Sequence, residues 1–226
     1  MTQSVQICLD SRQRVFALVT AMAGMVESSI DQAIEALLAG DWGLAHTLLQ
    51  KEIVINRMEV HIDAAVLGHL AQKNLSPCDM RSMVSILKIN KDLERMGDLA
   101  ANIGRKVIEL GQGRQECENS DLQRADLQPL AIAVSHICRK TLRAVVRQDV
   151  VLAESALGSE EAVHTYRDYV FRKIRERLSS GSSTANSDLA LLLASRYLEQ
   201  IADHAVNLAD TLVFWMRGTP KERLLA

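Results

Sequence analysis

Leu93-Glu94-Arg95-Met96-Gly97-Asp98-Leu99-Ala100-Ala101-Asn102-Ile103-Gly104 returns later in the chain as Leu198-Glu199-Gln200-Ile201-Ala202-Asp203-His204-Ala205-Val206-Asn207-Leu208-Ala209. Leu, Glu, Asp, Ala and Asn recur in register, and elsewhere apolar answers apolar and small answers small. A unit that must keep one geometry leaves such an internal repeat. Glu to Asp is four residues and Asp to Asn four more, so on a helix the three oxygen-bearing side chains stack on one stripe about one turn apart. Ile89, Leu93, Met96, Ala100, Ile103 and Val107 follow the seam spacing of a packed bundle, with Glu94, Asp98 and Asn102 just beside it. Leu198, Ile201, Ala205, Leu208 and Leu212 repeat that seam beside Glu199, Asp203 and Asn207.

Outward from the repeat, the 226 residues divide into two similar units, 1–112 and 113–226. Each is about the size of a small domain and can bury a core. Hydrophobic residues make up 48% of the chain and aromatics 4%, with 11 Gly and only 3 Pro, which is the profile of an all-α protein. No segment reads as a strand. A net charge of −2 supplies no field to gather nucleic acid. Cys8, Cys78, Cys117 and Cys138 are scattered without a Cys-x-x-Cys pair, which suggests neither a zinc knuckle nor a redox dithiol and fits a reducing compartment. Arg12-Gln13-Arg14 ahead of the apolar run from Val15 to Val26, with Ala21-Met22-Ala23 inside it, imitates a secretory signal. The pattern nevertheless runs on through Ile30, Ala33, Ile34 and Leu37 as an amphipathic helix does, and no apolar run is long enough to span a bilayer.

Punctuation then predicts six long antiparallel helices, three per unit. The first runs from about Val5 to Leu38, where Gly40-Asp41 stops it and supplies the next N-cap. The second covers roughly Trp42 to Gln72, and Ser76-Pro77-Cys78-Asp79 opens the third, to about Leu110, with a capping serine, a first-turn proline and an acid. A polar linker reaches Asp121. The fourth helix spans about Leu122 to Arg147, Gln148-Asp149 breaks the chain where Gly40-Asp41 did, and the fifth continues to about Leu178. After Ser179 to Thr184 the sixth runs from about Asn186 to Met216. The expected fold is two tandem pseudo-symmetric three-helix bundles.

The acidic stripes are candidate metal sites, because two acids at i and i+4 repel unless a cation lies between them. Glu52 and Asn56 in the second helix share this spacing, Glu160 and His164 hold the matching places in the fifth, and Glu27 and Asp31 lie on the first. Such hard oxygen donors suit iron, manganese or magnesium, and His164 or His204 favours iron or zinc; no organic cofactor is expected. Equally, Lys91 to Glu94, Arg95 to Asp98 and Arg196 to Glu199 are i, i+3 pairs that could hold these acids as an ordinary charged face. A ferritin-like di-iron site needs two Glu-x-x-His pairs, and only Glu161-x-x-His164 qualifies. No phosphate-cradling Gly-rich loop, nucleophile elbow or His-Glu-x-x-His segment supports catalysis. Arg167, Arg172, Lys173, Arg175 and Arg177 crowd one helix end, as cations favour a C-terminus. Phe214-Trp215-Met216 reads as end-packing against the fourth helix.

Leu93-Glu94-Arg95-Met96-Gly97-Asp98 followed by Asn102-Ile103, with the upstream lead Asp79-Met80-Arg81 through Ile86-Leu87-Lys88, resembles the PhoU family of phosphate-uptake regulators. Leu198 to Asp203 with Asn207-Leu208 resembles that family's second repeat. The likeness spans roughly Ala21 to Met216. It implies a cytoplasmic, non-enzymatic negative regulator linking a phosphate ABC transporter to a sensor histidine kinase, peripheral to the membrane only through those partners, and a homodimer. It also implies metal binding through Glu94, Asp98, Glu199 and Asp203, and it marks Arg81 as a partner contact or an interhelical tie. Competing expectations are an accessory bundle of another phosphate carrier and a metal-storing or redox helical protein.

Overall fold

The computed structural model describes residues 3–72, 75–112, 124–181 and 185–218. The first unit is α1 (Gln3–Ala39), α2 (Trp42–Leu70) and α3 (Pro77–Gln112). The second is α4 (Gln128–Arg147), α5 (Val150–Ala156), α6 (Glu160–Ser180) and α7 (Ala185–Arg217). The capping chemistry is where the sequence puts it. Asp41 accepts from the Leu44 amide at 2.9 Å and Asp149 from the Leu152 amide at 3.0 Å, so the same device starts the second span of both units. At the head of α3, Ser76 Oγ accepts from the Asp79 amide while Asp79 Oδ2 accepts from the Ser76 amide, a reciprocal capping box.

The helices of each unit pack on one another, α3 lies along α7, and α1 touches α4. The seam residues Leu93, Met96, Ala100, Ile103, Leu198, Ile201, Ala205 and Leu208 are all fully buried, in one hydrophobic core that runs through both units. Gly104 lets α2 come close to α3: a Cβ there would stand 3.1 Å from the Ala45 carbonyl oxygen and 3.2 Å from Leu48 Cδ1. Asn90 secures the same pair of helices by donating to the Glu59 carbonyl and to Asp63 Oδ1.

Two expectations need correction. The fifth helix is interrupted, because Leu157 is extended and Gly158 adopts φ +87, a left-handed backbone only glycine takes without strain. The break aims Glu160 and Glu161 at the fresh N-terminus of α6, where acids are favoured. Trp215 is buried, and its ring packs edge-on against Phe16 of α1 at 6.1 Å between centroids. The fourth helix begins at Gln128, and the expected turn at Leu122 and the linkers lie outside the described residues. Cys78 is exposed and Cys138 is buried, its thiol pushed up by desolvation and so kept protonated; the side chains of Cys8 and Cys117 lie outside the described set.

Because the atom nearest the missing Gly104 side chain is backbone, Gly104→Leu is expected to push α2 off α3 and lower unfolding free energy by about 1–3 kcal/mol. A urea midpoint equal to the parent's would show that the approach of α2 is not tight there.

Candidate functional site

Glu94 and Asp98 leave α3 on one face, a single residue off the buried seam, and this position draws them below the surface. Glu94 is only 7% exposed, with Oε2 2.9 Å from Lys91 Nζ and 3.6 Å from Arg95 Nε. Arg95 also reaches forward to Asp98 at 3.5 Å. Glu52 crosses from α2 and pairs with Arg105 of α3, whose other nitrogen donates to Asn102 Oδ1 at 2.7 Å. Asp98 is pushed up to about 6, chiefly by desolvation, then by the charge of Glu94 and a hydrogen bond shared with it, then by Glu52; Arg95 works in the opposite direction.

The second stripe is built on the same plan with other partners. Glu199 is 3% exposed; Oε1 meets His164 Nδ1 at 3.2 Å and Arg167 Nε at 3.6 Å, both from α6, while Oε2 accepts from Arg196. Asp203, though more exposed, is also held above the usual carboxylate range, first by desolvation and then by Glu199, against His164, Arg196 and His204. His204 joins Asp92 of α3 at 2.9 Å and so ties the two units. Asn207 is exposed and makes no side-chain hydrogen bond, and Glu160 has a buried Oε2 without a hydrogen-bond partner.

The fold thus brings together Glu52, Glu94, Asp98 and Asn102 in one place and His164, Glu199 and Asp203 in another. It does not bring Asp31 to either, because Asp31 binds Arg139 and Ser135 of α4. Arg81 serves the molecule itself: its Nε donates to the Trp215 carbonyl at 3.3 Å and its guanidinium lies against Gly218, closing the C-terminal end of α7. Of the basic cluster, Arg177 turns inward to bridge Asp126 and the fully buried Asp188, while Arg172 and Arg175 are exposed.

The carboxylate and amide oxygens of both stripes are of the type that hard metal ions take. They face Lys91, Arg95 and Arg105 in one stripe and His164, Arg167 and Arg196 in the other, and among the described residues no three or more His, Cys, Asp or Glu side chains are grouped so as to hold a metal ion. As arranged, the chain's own cations lie against Glu52, Glu94 and Asp98 in one stripe and against Glu199 and Asp203 in the other. What the arrangement does is hold a half-buried charge ladder open to solvent on one edge. Arg105 and Arg167 escaped the sequence reading as partners of the stripes, although Arg105 stands at i+3 from Asn102 and Arg167 at i+3 from His164, the spacing of helix-surface pairs.

A family profile described as PhoU domain matches residues 19–107 and again 129–212. A Pseudomonas putida protein called phosphate-specific transport system accessory protein PhoU homolog is 31% identical over 201 residues, 88% of this chain and 76% of that one. The crystal structure of PhoU from Pseudomonas aeruginosa superposes with a TM-score of 0.86 at 28% identity, covering 93% of this chain and 99% of that one. A PhoU structure from Streptococcus pneumoniae shares the fold, with a TM-score of 0.81 at 21% identity over 97% of this chain and all of that one. Among the described residues no helix is long and apolar enough to cross a membrane.

A carboxyl raised in the folded state binds more protons folded than unfolded between about pH 4 and pH 6, so its penalty is absent below the unfolded value and complete above the folded one. Stability contributed by Asp98 therefore falls as pH rises through that window. Asp98→Asn is expected to be more stable than the parent near neutral pH by on the order of 1 kcal/mol, with the difference vanishing toward pH 4. Urea midpoints across that pH range check it; a variant less stable at neutral pH would mean that the ion pair with Arg95 outweighs the crowding.

Proposed function

The chain belongs to the PhoU family, and we propose from that membership and from the paired charge ladders that it is a non-enzymatic regulator of phosphate-specific transport. In this proposal it restrains phosphate uptake and the phosphate-starvation response by bridging a phosphate ABC transporter and a sensor histidine kinase on the cytoplasmic side. The observation that carries the proposal is the duplication itself. Glu94 on α3 and Glu199 on α7 are kept at costly buried positions, with Asp98 and Asp203 one turn further on in each unit and cations arranged beside the stripes. Nothing in the packing of either core requires acids there. A surface of alternating fixed charge selects partners by complementarity and sets association rate more than raw affinity. The chain's own arginines, Lys91 and His164 do in this proposal what a metal would otherwise do, namely offset the paired carboxylates.

Deleting the gene should switch on a phosphate-starvation reporter in high phosphate, and the intact chain should switch it off. The double variant Asp98→Lys with Asp203→Lys should keep the helical circular-dichroism spectrum yet fail to restore repression or to co-purify with the transporter's ATPase. Full repression by that variant would detach the function from the stripes, while a repression defect with transporter binding intact would move them to the kinase side. Elemental analysis of untagged, chelator-free protein is expected to give less than one iron, zinc or manganese per chain; stoichiometric metal lost in the double variant would overturn the internal-cation account.

A further inference from the structure

Where α1 touches α4 the two units leave a groove of about 980 Å³, the size of a small-molecule site. Its floor is apolar, made by Ile34 and Leu38 of α1, Ala131 and Ile132 of α4 and Leu152 of α5, and Ile132 is 62% exposed. An ion pair crosses its middle: Arg139 meets Asp31 at 2.9 Å, and Ser135 donates to the same carboxylate. The α4 wall also carries Lys140, Arg143 and Arg147, and the α1 wall carries Glu35. Lys140 is engaged with the Ser155 carbonyl. Among the described residues, Arg143, Arg147 and Glu35 have no hydrogen bond or ion pair.

Arg81 to Trp215 and Asp92 to His204 set α3 and α7 antiparallel, and the rotation that lays one unit on the other reverses α1 against α4 as well. In the register that lays Asp41 on Asp149, Asp31 and Arg139 are equivalent positions, so their pair marks the centre of the groove. Arg143 and Arg147 lie toward one end of it and Glu35 toward the other. At 1.5 Å per residue, Glu35 stands about 12 Å along the groove from Arg143 and about 18 Å from Arg147. The repeat supplies a control. Gln32, Glu35 and Ala39 hold in the first unit the places of Lys140, Arg143 and Arg147, so packing of the two helices does not call for those cations. A cation in a last helical turn is ordinary, which accounts for Arg147 but not for Arg143 a turn earlier.

A molecule complementary to this groove has an anionic end, an apolar body and a hydrogen-bond donor at the far end. Guanidinium forks one turn apart fit phosphate oxygens, each fork able to bond two of them. The aliphatic floor fits the face of a ring, and Glu35 can accept from an amine or a hydroxyl. A nucleoside di- or triphosphate carries these three parts in that order. A polynucleotide would need a longer positive stripe than two free arginines supply. We propose that the groove between α1 and α4 binds a nucleoside polyphosphate, with its phosphates on Arg143 and Arg147 and its base over Ile132 on the side of Glu35. Bound there, the ligand joins the first unit to the second.

Equilibrium dialysis of ATP against the full chain, without divalent cations and in about 0.15 M salt to screen loose attraction to surface charge, is expected to show one site per chain. Its dissociation constant should lie below about 1 mM. Arg143→Gln with Arg147→Gln, both at exposed positions, should weaken ATP binding about tenfold or more while leaving circular dichroism unchanged. Inorganic tripolyphosphate, which has the charge without the ring, should bind the parent more weakly than ATP. Ile132→Ser should weaken ATP and leave tripolyphosphate unaffected. No ATP retained at millimolar concentration, equal retention by the double glutamine variant, or tripolyphosphate binding as tightly as ATP would each overturn the proposal.

Discussion

Everything in this molecule hangs on burying one apolar seam twice. Leu93, Met96, Ala100 and Ile103 on α3 and Leu198, Ile201, Ala205 and Leu208 on α7 are fully buried, each large side chain contributing about 1.5–3 kcal/mol. A helix cannot bury that seam without drawing down the residue beside each seam position. Glu94 and Glu199 occupy those places and lose nearly all their solvent. A carboxylate so placed costs several kcal/mol unless paired, and this requirement recruits Lys91 and Arg95 to the first, Arg196, Arg167 and His164 to the second.

The two units meet that requirement with different hands. In the first, the cations come from α3 itself, and α2 contributes a further acid, Glu52, which Arg105 holds in place. In the second, α6 supplies His164 and Arg167 directly to Glu199, and Gln200 stands where the first copy has Arg95. Asp98 consequently sits among more negative charge than Asp203, which has two histidines and Arg196 on its side. Backbone spacing diverges as well: Gly97 and Gly104 face α2 where Ala202 and Ala209 stand in the second copy. A repeat preserves the seam and the acid stripe while the elements closing over them drift.

That division also explains what could be read from the sequence. Seam, caps and helix count follow from periodicity and from local chemistry such as Asp41, Asp149 and the Ser76–Asp79 box, whose partners lie within a few residues. The break at Gly158 was written in the glycine, yet a single glycine inside a helical pattern is tolerated often enough to pass unread. The stripes were visible, but which cations close them was not, because Arg105 to Glu52, Arg167 to Glu199 and His204 to Asp92 join residues far apart in the chain. Arg81 shows the same gap: nothing near it in sequence says that its guanidinium donates to the Trp215 carbonyl near the end of α7.

Pseudo-symmetry makes the outer faces the informative ones. Inner faces must match, since α3 and α7 pack against each other and against their own units with the same seam. The outer face of the second span carries no such duty, so its composition is free to follow what it meets. In α2 it is Ile53, Val60 and Leu67; in the matching run of α6 it is Glu161, Asp168 and Arg175. A chain that kept both faces polar would be equally well folded and more soluble. One apolar edge and one charged edge therefore give the duplicated body two distinct sides, and the equivalence of its halves ends at the surface.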